Sequence, residues 1–338
     1  MANQHFKAMR LPGASWWILA ALAAVPPLAL LLGEPFLLRV FTRVVLLAMV
    51  AVALNLVLGF GGLVSLMHAA LFGVGGYVVA VLAHHAFNGD LFLGLLPGTL
   101  SLSLSLPLAM LASATVALLT GYVALRTSGA FFIMITLAFN QMLFYFFVAL
   151  RTYGGEDGLQ ILGTVTLFGL DASKRVPFFY LCLAALGLTV WVLGRVVDSR
   201  FGRVLRACAQ NERRVMAIGI PAGPYKLTAF VISGAISGAA GALWAASQGF
   251  ISPADMSWGR SGELVAMIVL GGMTVVWGPV VGAVVFLVLE MLLAEYTAYW
   301  QLPFGLALIA IVVFMQGGLA GLAAQWRRRT ARKDAPHG

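Results

Sequence analysis

Run after run of about twenty residues passes with hardly a charge, and this feature decides the solvent in which the chain can fold. A helix rising 1.5 Å per residue needs roughly 20 predominantly apolar residues to cross a hydrocarbon core about 30 Å thick. Runs that can do so cover 15–33, 36–59, 64–84, 100–125, 130–150, 176–194, 225–247, 262–277, 279–297 and 303–320. Of the 338 residues, 61% are hydrophobic and 10% charged, too few charges to clothe a water-facing surface of this size. The expected fold is all-α, a polytopic membrane helical bundle of about ten transmembrane helices with glycine-broken spans. A single transmembrane domain is expected over 1–320, with a cytoplasmic loop or helix at 195–224 and a basic cytoplasmic tail at 321–338.

The charge balance, 21 Lys+Arg against 12 Asp+Glu, would suit nucleic acid if it were spread over a soluble domain. Instead it gathers at helix ends. One cluster holds Arg195, Arg200, Arg203, Arg206, Arg213, Arg214 and Lys226, and another Arg327, Arg328, Arg329, Arg332 and Lys333. The positive-inside bias assigns both clusters and both termini to the cytoplasm, which leaves no role for nucleic acid. Glu34, Asp90, Glu156, Asp157, Asp171 and Asp255 then lie outside. Arg39, Arg43, Arg151, Lys174, Arg175 and Arg260 also fall at or near the outer face, against the bias. Lys7 and Arg10 before the first apolar run imitate a signal peptide. Without a small-residue cleavage site before Val25, Pro26 and Pro27, the run reads as the first membrane helix.

Glycines interrupt several spans. Gly59, Gly61 and Gly62 stand in one, Gly271 and Gly272 in another, and Gly61-Gly62-Leu63-Val64-Ser65 looks like Gly271-Gly272-Met273-Thr274-Val275. This suggests a diverged internal repeat. Such glycines permit either close helix packing or a backbone break, and a break is tolerated only against protein or a water-filled cavity.

Polar residues inside spans are costly and need a reason. Asn55, His68, Asn140, Gln141 and Glu290 are the candidates for lining a solute route; hydrogen bonding between helices is the competing reading for the first four. Glu290 has to pair with a basic group, sit protonated, or face water. No catalytic set and no metal site emerges, since Cys182 and Cys208 lack a CxxC spacing and no His-Glu-x-x-His helix occurs. No cofactor is expected.

Between two spans, Asp198 to Lys226 reads as an amphipathic helix. Val204, Leu205, Cys208, Val215 and Ile218 can face protein or lipid, the arginines face water, and Gly219 with Pro221 closes it. It suits a groove on a partner or an anionic membrane lipid surface.

Three stretches carry a resemblance: Gly59-Phe-Gly-Gly-Leu-Val-Ser-Leu-Met-His-Ala-Ala-Leu-Phe-Gly-Val-Gly-Gly-Tyr77, Gly202-Arg-Val-Leu-Arg-Ala207, and Tyr225-Lys-Leu-Thr-Ala-Phe-Val-Ile-Ser-Gly-Ala-Ile-Ser-Gly-Ala-Ala-Gly-Ala-Leu243. With Gln248-Gly-Phe-Ile-Ser-Pro253, Val269-Leu-Gly-Gly-Met273 and Trp277-Gly-Pro279 in order, the chain resembles the LivM-type permeases of branched-chain amino acid ABC importers from about Leu54 to Gln316.

The resemblance implies a subunit of the bacterial inner membrane that moves branched-chain amino acids. Its expected partners are a second, LivH-like permease subunit, two ABC ATPase subunits and a periplasmic substrate-binding protein. It also implies that Asn211, Glu212, Arg213, Arg214 and Gly219 form the helix coupled to the ATPase, although Glu212-Arg213-Arg214 replaces the usual Glu-Ala-Ala. Thr152-Tyr-Gly-Gly-Glu-Asp-Gly-Leu159 resembles the family's outer loop with Tyr153 inserted, so Glu156 and Asp157 are expected to meet the binding protein. An ordinary glycine-rich turn fits the same residues.

No GxxxxGK[ST] phosphate loop occurs, so the chain is not expected to be an enzyme and ATP hydrolysis is expected on separate subunits. Permeases of similar sequence handle urea, short amides or aromatic acids. A stand-alone secondary transporter using Glu290 to carry a proton is the remaining alternative.

Overall fold

The computed structural model describes residues 18, 20–27, 35–92, 96–167, 170–171, 174–296, 299, 301–314, 317–319 and 321. Most of the first expected span, and all but one residue of the expected basic tail, lie outside these. Among the described residues there are eleven α-helices. In chain order they are α1 Pro35–Asn55, α2 His68–Asn88, α3 Leu102–Ala124, α4 Ala130–Ala149, α5 Arg175–Asp198, α6 Arg200–Gln210, α7 Glu212–Ala217, α8 Ala222–Gln248, α9 Trp258–Gly271, α10 Gly278–Tyr296 and α11 Gln301–Phe314.

Seven of these are long and apolar enough to cross a membrane: α1 with the residues that continue it, α2, α3, α4, α5, α8 and α10. The expected span at 262–277 needs correcting. Its helix, α9, has 14 residues, about 21 Å at 1.5 Å each, and stops at Gly272, whose φ of +109° no side-chain-bearing residue adopts without strain. The span expected at 64–84 becomes a helix starting at His68, after a non-helical stretch from Gly61 to Met67.

The core is built on α1, α2, α3 and α8. Helix α1 is buried on every side from Val44 to Leu58, so no polar face was available to mark its orientation. It continues as a π-helical turn, Leu56–Phe60, which widens where the Met273 carbonyl approaches Gly59. Helix α8 packs on α2 and α3 through small residues. A Cβ on Gly75 would run into the Gly238 backbone, and one on Gly241 into the Phe72 carbonyl. On α3 the buried stripe is Leu102, Ser105, Ala109, Ser113, Ala117, Thr120 and Ala124, while Leu104, Leu111, Leu118 and Tyr122 are exposed. That inversion suits a lipid solvent, where close van der Waals contact between helices, rather than expulsion from water, drives association.

Two ends of the bundle can be told apart. At one, α6 and α7 cap the N-terminus of α8, and Gly62 packs on Ala209 of α6. At the other, two-residue strands pair, Leu159–Gln160 with Phe250–Ile251, beside the loop after α4.

Candidate functional site

Helix α2 starts inside the bundle rather than at its surface. Its first amide groups therefore have no helical partner and no water, a situation that normally demands substitutes. They come from Ser65 just upstream and from other segments. Leu66 N donates to Thr136 Oγ1 (3.3 Å), Met67 N to Ser65 Oγ (3.3 Å), Ala69 N to Ser261 Oγ (3.3 Å) and Ala70 N to Asn140 Oδ1 (3.1 Å). Asn140, half-way along α4, uses its amide on the Met256 carbonyl as well (2.9 Å).

That carbonyl belongs to a second re-entrant stretch. After α8 the chain turns at Gly249, runs through Phe250–Ile251 and a 3-10 turn, Pro253–Met256, and starts α9 at the depth of Asn140. Helices α2 and α9 thus begin near one another and run apart, α2 toward the strand end and α9 toward α6. Gly61 to Met67 therefore has its counterpart in Gly249 to Ser257. The two look-alike segments, Gly61 to Ser65 and Gly271 to Val275, instead lie together at the α6 end, where Asn55 Nδ2 donates to the Val275 carbonyl (3.1 Å).

His68 opens α2 with no exposed surface, its Nε2 2.8 Å from Ser233 Oγ, and Ser233 donates to the Ala53 carbonyl (2.6 Å). Asn55 and Asn140 are equally enclosed. In this conformation His68 and Asn140 tie helices together and Asn55 holds the non-helical stretch at Val275, contacts that compete with a route-lining role. Gln141 is half-buried beside them.

Glu290 is paired. Arg43 of α1 donates from Nη2 to both its carboxylate oxygens (3.0 and 3.2 Å). An unpaired charge at mid-membrane costs about 2.5–3.5 kcal/mol on insertion scales, enough to favour this pairing. Next to it Arg260 donates to Glu263 Oε2 (2.8 Å) and faces Asp255 at 3.9 Å. Sequence reading missed Arg43 and Arg260 as partners because it placed them by the positive-inside rule alone. Serines and threonines inside spans read as interhelical hydrogen bonders, but the sequence did not single out Thr136, Ser233 or Ser261.

At the α6 end the expected single amphipathic helix is two. Ser199 caps α6 by accepting from Gly202 N (3.4 Å), and Asn211 caps α7 by accepting from Arg214 N (3.0 Å). Leu205, Cys208 and Val215 are buried as expected, but Ile218 is 73% exposed, next to Met216. Burial pushes the Cys208 thiol up, with Lys226 opposing and Glu212 reinforcing. Glu212 pairs with Lys226 of α8 at 2.6 Å, so α7 is fastened to the central helix. Arg213, Arg214 and Gly219, the last with φ +83°, are exposed. Near the strand end Glu156 and Asp157 lie exposed on a 3-10 turn between glycines of positive φ.

A helical bundle in which two helices begin inside it, hydrogen-bonded across the break, is a membrane permease architecture. The chain belongs to the family described as branched-chain amino acid transport system / permease component, whose model matches residues 36–316. It is similar to the high-affinity branched-chain amino acid transport system permease protein LivM of Salmonella typhimurium, 29% identical over 302 residues, 82% of this chain and 68% of that one. To LivH of the same organism it is 28% identical over 169 residues, 49% and 53% of the two chains. The autoinducer 2 import system permease protein LsrC of Yersinia pseudotuberculosis is 27% identical over 242 residues, 65% of this chain and 66% of its own. No solved structure matches. The chain is a multi-pass permease subunit of an ABC importer.

Proposed function

We propose that this permease moves branched-chain amino acids inward across the bacterial inner membrane, with both termini and the α6 end in the cytoplasm. The observation that supports the coupling part of this reading is the fastening of α7 to α8 by Glu212 and Lys226. Two turns further along α8, Ser233 holds both His68 at the start of α2 and the Ala53 carbonyl of α1. A push delivered to the exposed Arg213, Arg214, Met216 and Ile218 by an ATPase would therefore act on the helix that grips the broken one. Gly62 against Ala209 supplies a second contact between the docking element and the break.

The partners are then a second permease, two ATPase subunits and a periplasmic binding protein received near Glu156 and Asp157. Of the expected route residues, Gln141 and Glu290 retain exposure, and we place the route on the side of Glu290. The secondary-transporter alternative loses support, since Glu290 is engaged by Arg43 through both carboxylate oxygens.

The cargo follows the relatives: LivM and LivH are named for branched-chain amino acids. The test is uptake by vesicles containing this chain with its second permease and ATPases, supplied with loaded binding protein. ATP-dependent uptake of leucine, isoleucine and valine is expected. Uptake by the chain alone without ATP would overturn the importer reading, and preference for urea, a short amide or an aromatic acid would overturn the cargo.

A further inference from the structure

Charged side chains gather where α9 begins, between that helix, α1 and α10. Arg43, Asp255, Arg260, Glu263 and Glu290 come from α1, the 3-10 turn, α9 and α10. Their side chains are 15–30% exposed, so none is sealed in the core. Glu290 also lies within electrostatic reach of Arg260, and Arg43 within reach of Asp255, which makes one cluster of two adjacent groups. Two guanidinium groups stand against three carboxylates.

The neighbouring surface of α9 is open. Trp258 is 60% exposed, and a Cβ added to Gly259 or Gly262 would meet no atom within 4 Å. Ions left 15–30% exposed at that depth require water or a polar partner rather than hydrocarbon over them. Here Arg260 reaches Asp255 only at 3.9 Å, a contact too long for a hydrogen bond, and so keeps donor capacity for another group.

We propose that the Asp255, Arg260 and Glu263 group at the start of α9, with the Arg43–Glu290 pair beside it, is a water-facing station on the route for the two charged ends of a zwitterionic solute. The guanidinium of Arg260 takes the solute carboxylate, and the excess negative charge of the cluster takes the ammonium. An amino acid crossing a low-dielectric region needs both charges met at once, and a mixed cluster does this where a cluster of one sign would repel one end. The proposal rests on the amino acid cargo proposed above.

The test uses the assembled transporter with Gly262→Cys in this chain. Cys182 and Cys208 are buried and serve as the unlabelled background. Charged, membrane-impermeant methanethiosulfonates are expected to label position 262, and the ratio of cationic to anionic labelling rate is expected to fall about threefold when Glu263→Gln is added. Leucine-loaded binding protein with ATP is expected to slow labelling.

In the chain without the added cysteine, Glu263→Gln should lower leucine uptake at least tenfold at unchanged amounts of assembled complex, with partial rescue by Glu263→Asp. Labelling by membrane-soluble N-ethylmaleimide alone would place the face against lipid and overturn the proposal. So would no labelling by any reagent, or full uptake by Glu263→Gln. If the wild-type complex carries no zwitterion, the cargo reading fails, while labelling of position 262 still reports whether the face is wet.

Discussion

Helices α2 and α9 meet the same physical problem and answer it differently. Each begins inside the bundle with amide groups that no earlier helical turn can satisfy. At α2 the substitutes come from Ser65, Thr136, Asn140 and Ser261, all without exposed surface except for the partners' backbones they serve, and the start is sealed. At α9 the cap is local, with Ser257 accepting from Arg260 N at 3.4 Å, and the surroundings are ionic and part-exposed. The first break serves as an anchor; the second is where we propose that water and solute have access. The lesson is that a glycine-rich interruption says little about a route until the partners of the freed backbone are known.

The contrast can be broken most severely at the anchor's packing. Gly238→Leu would drive a side chain into Ser113 and the Ala109 carbonyl, a clash costing 3 kcal/mol or more, about the top of the range for overpacked cores. Loss of the monodisperse, detergent-extracted protein in gel filtration is expected. Gly262→Leu, on the open side, is expected to leave the elution profile unchanged. Equal damage from both would abolish the distinction.

Asn140→Leu comes next. It removes two bonds between helices and leaves the Ala70 amide and Met256 carbonyl unmet, a loss of about 1–3 kcal/mol that thermal unfolding in detergent would register. Glu290→Gln should cost about 1–2 kcal/mol by leaving Arg43 with a neutral partner, while the pH dependence of uptake stays that of the wild type. A changed pH profile would restore the proton-carrying alternative. The smallest effect expected is at the docking element, where Gly219→Ala is strained by the positive φ by about 1 kcal/mol and should weaken ATPase coupling more than thermal stability. In the same element the buried, upshifted Cys208 thiol should alkylate far more slowly at neutral pH than a free thiol does, measured by mass spectrometry.

Much of this architecture was legible beforehand because hydropathy in a bilayer is nearly a length measurement. The spans at 36–59, 100–125, 130–150 and 225–247 come within a few residues of α1, α3, α4 and α8. The span at 262–277 failed because hydropathy counts apolar residues and does not register where a helix stops. The chain from Gly272 to Trp277 is apolar enough to extend the run but is not helical, and it is held in place from outside by Asn55.

Among candidate site residues, the sequence picked out Asn55, His68, Asn140 and Glu290 as needing partners, since polar atoms at those depths must be satisfied. It could not name the partners. Val275, Ser233, Met256 and Arg43 lie 220, 165, 116 and 247 positions away from them along the chain.

By itself, then, the sequence determined the solvent, the approximate spans, the family and the residues that polar physics makes expensive. These follow from local composition and from motifs that are contiguous in the chain. Only the tertiary structure decided that two helices begin side by side inside the bundle, that one beginning is enclosed and the other partly exposed, and that Glu290 answers Arg43. Each of these depends on which distant segment supplies a hydrogen bond or a countercharge, and that is settled by packing in three dimensions.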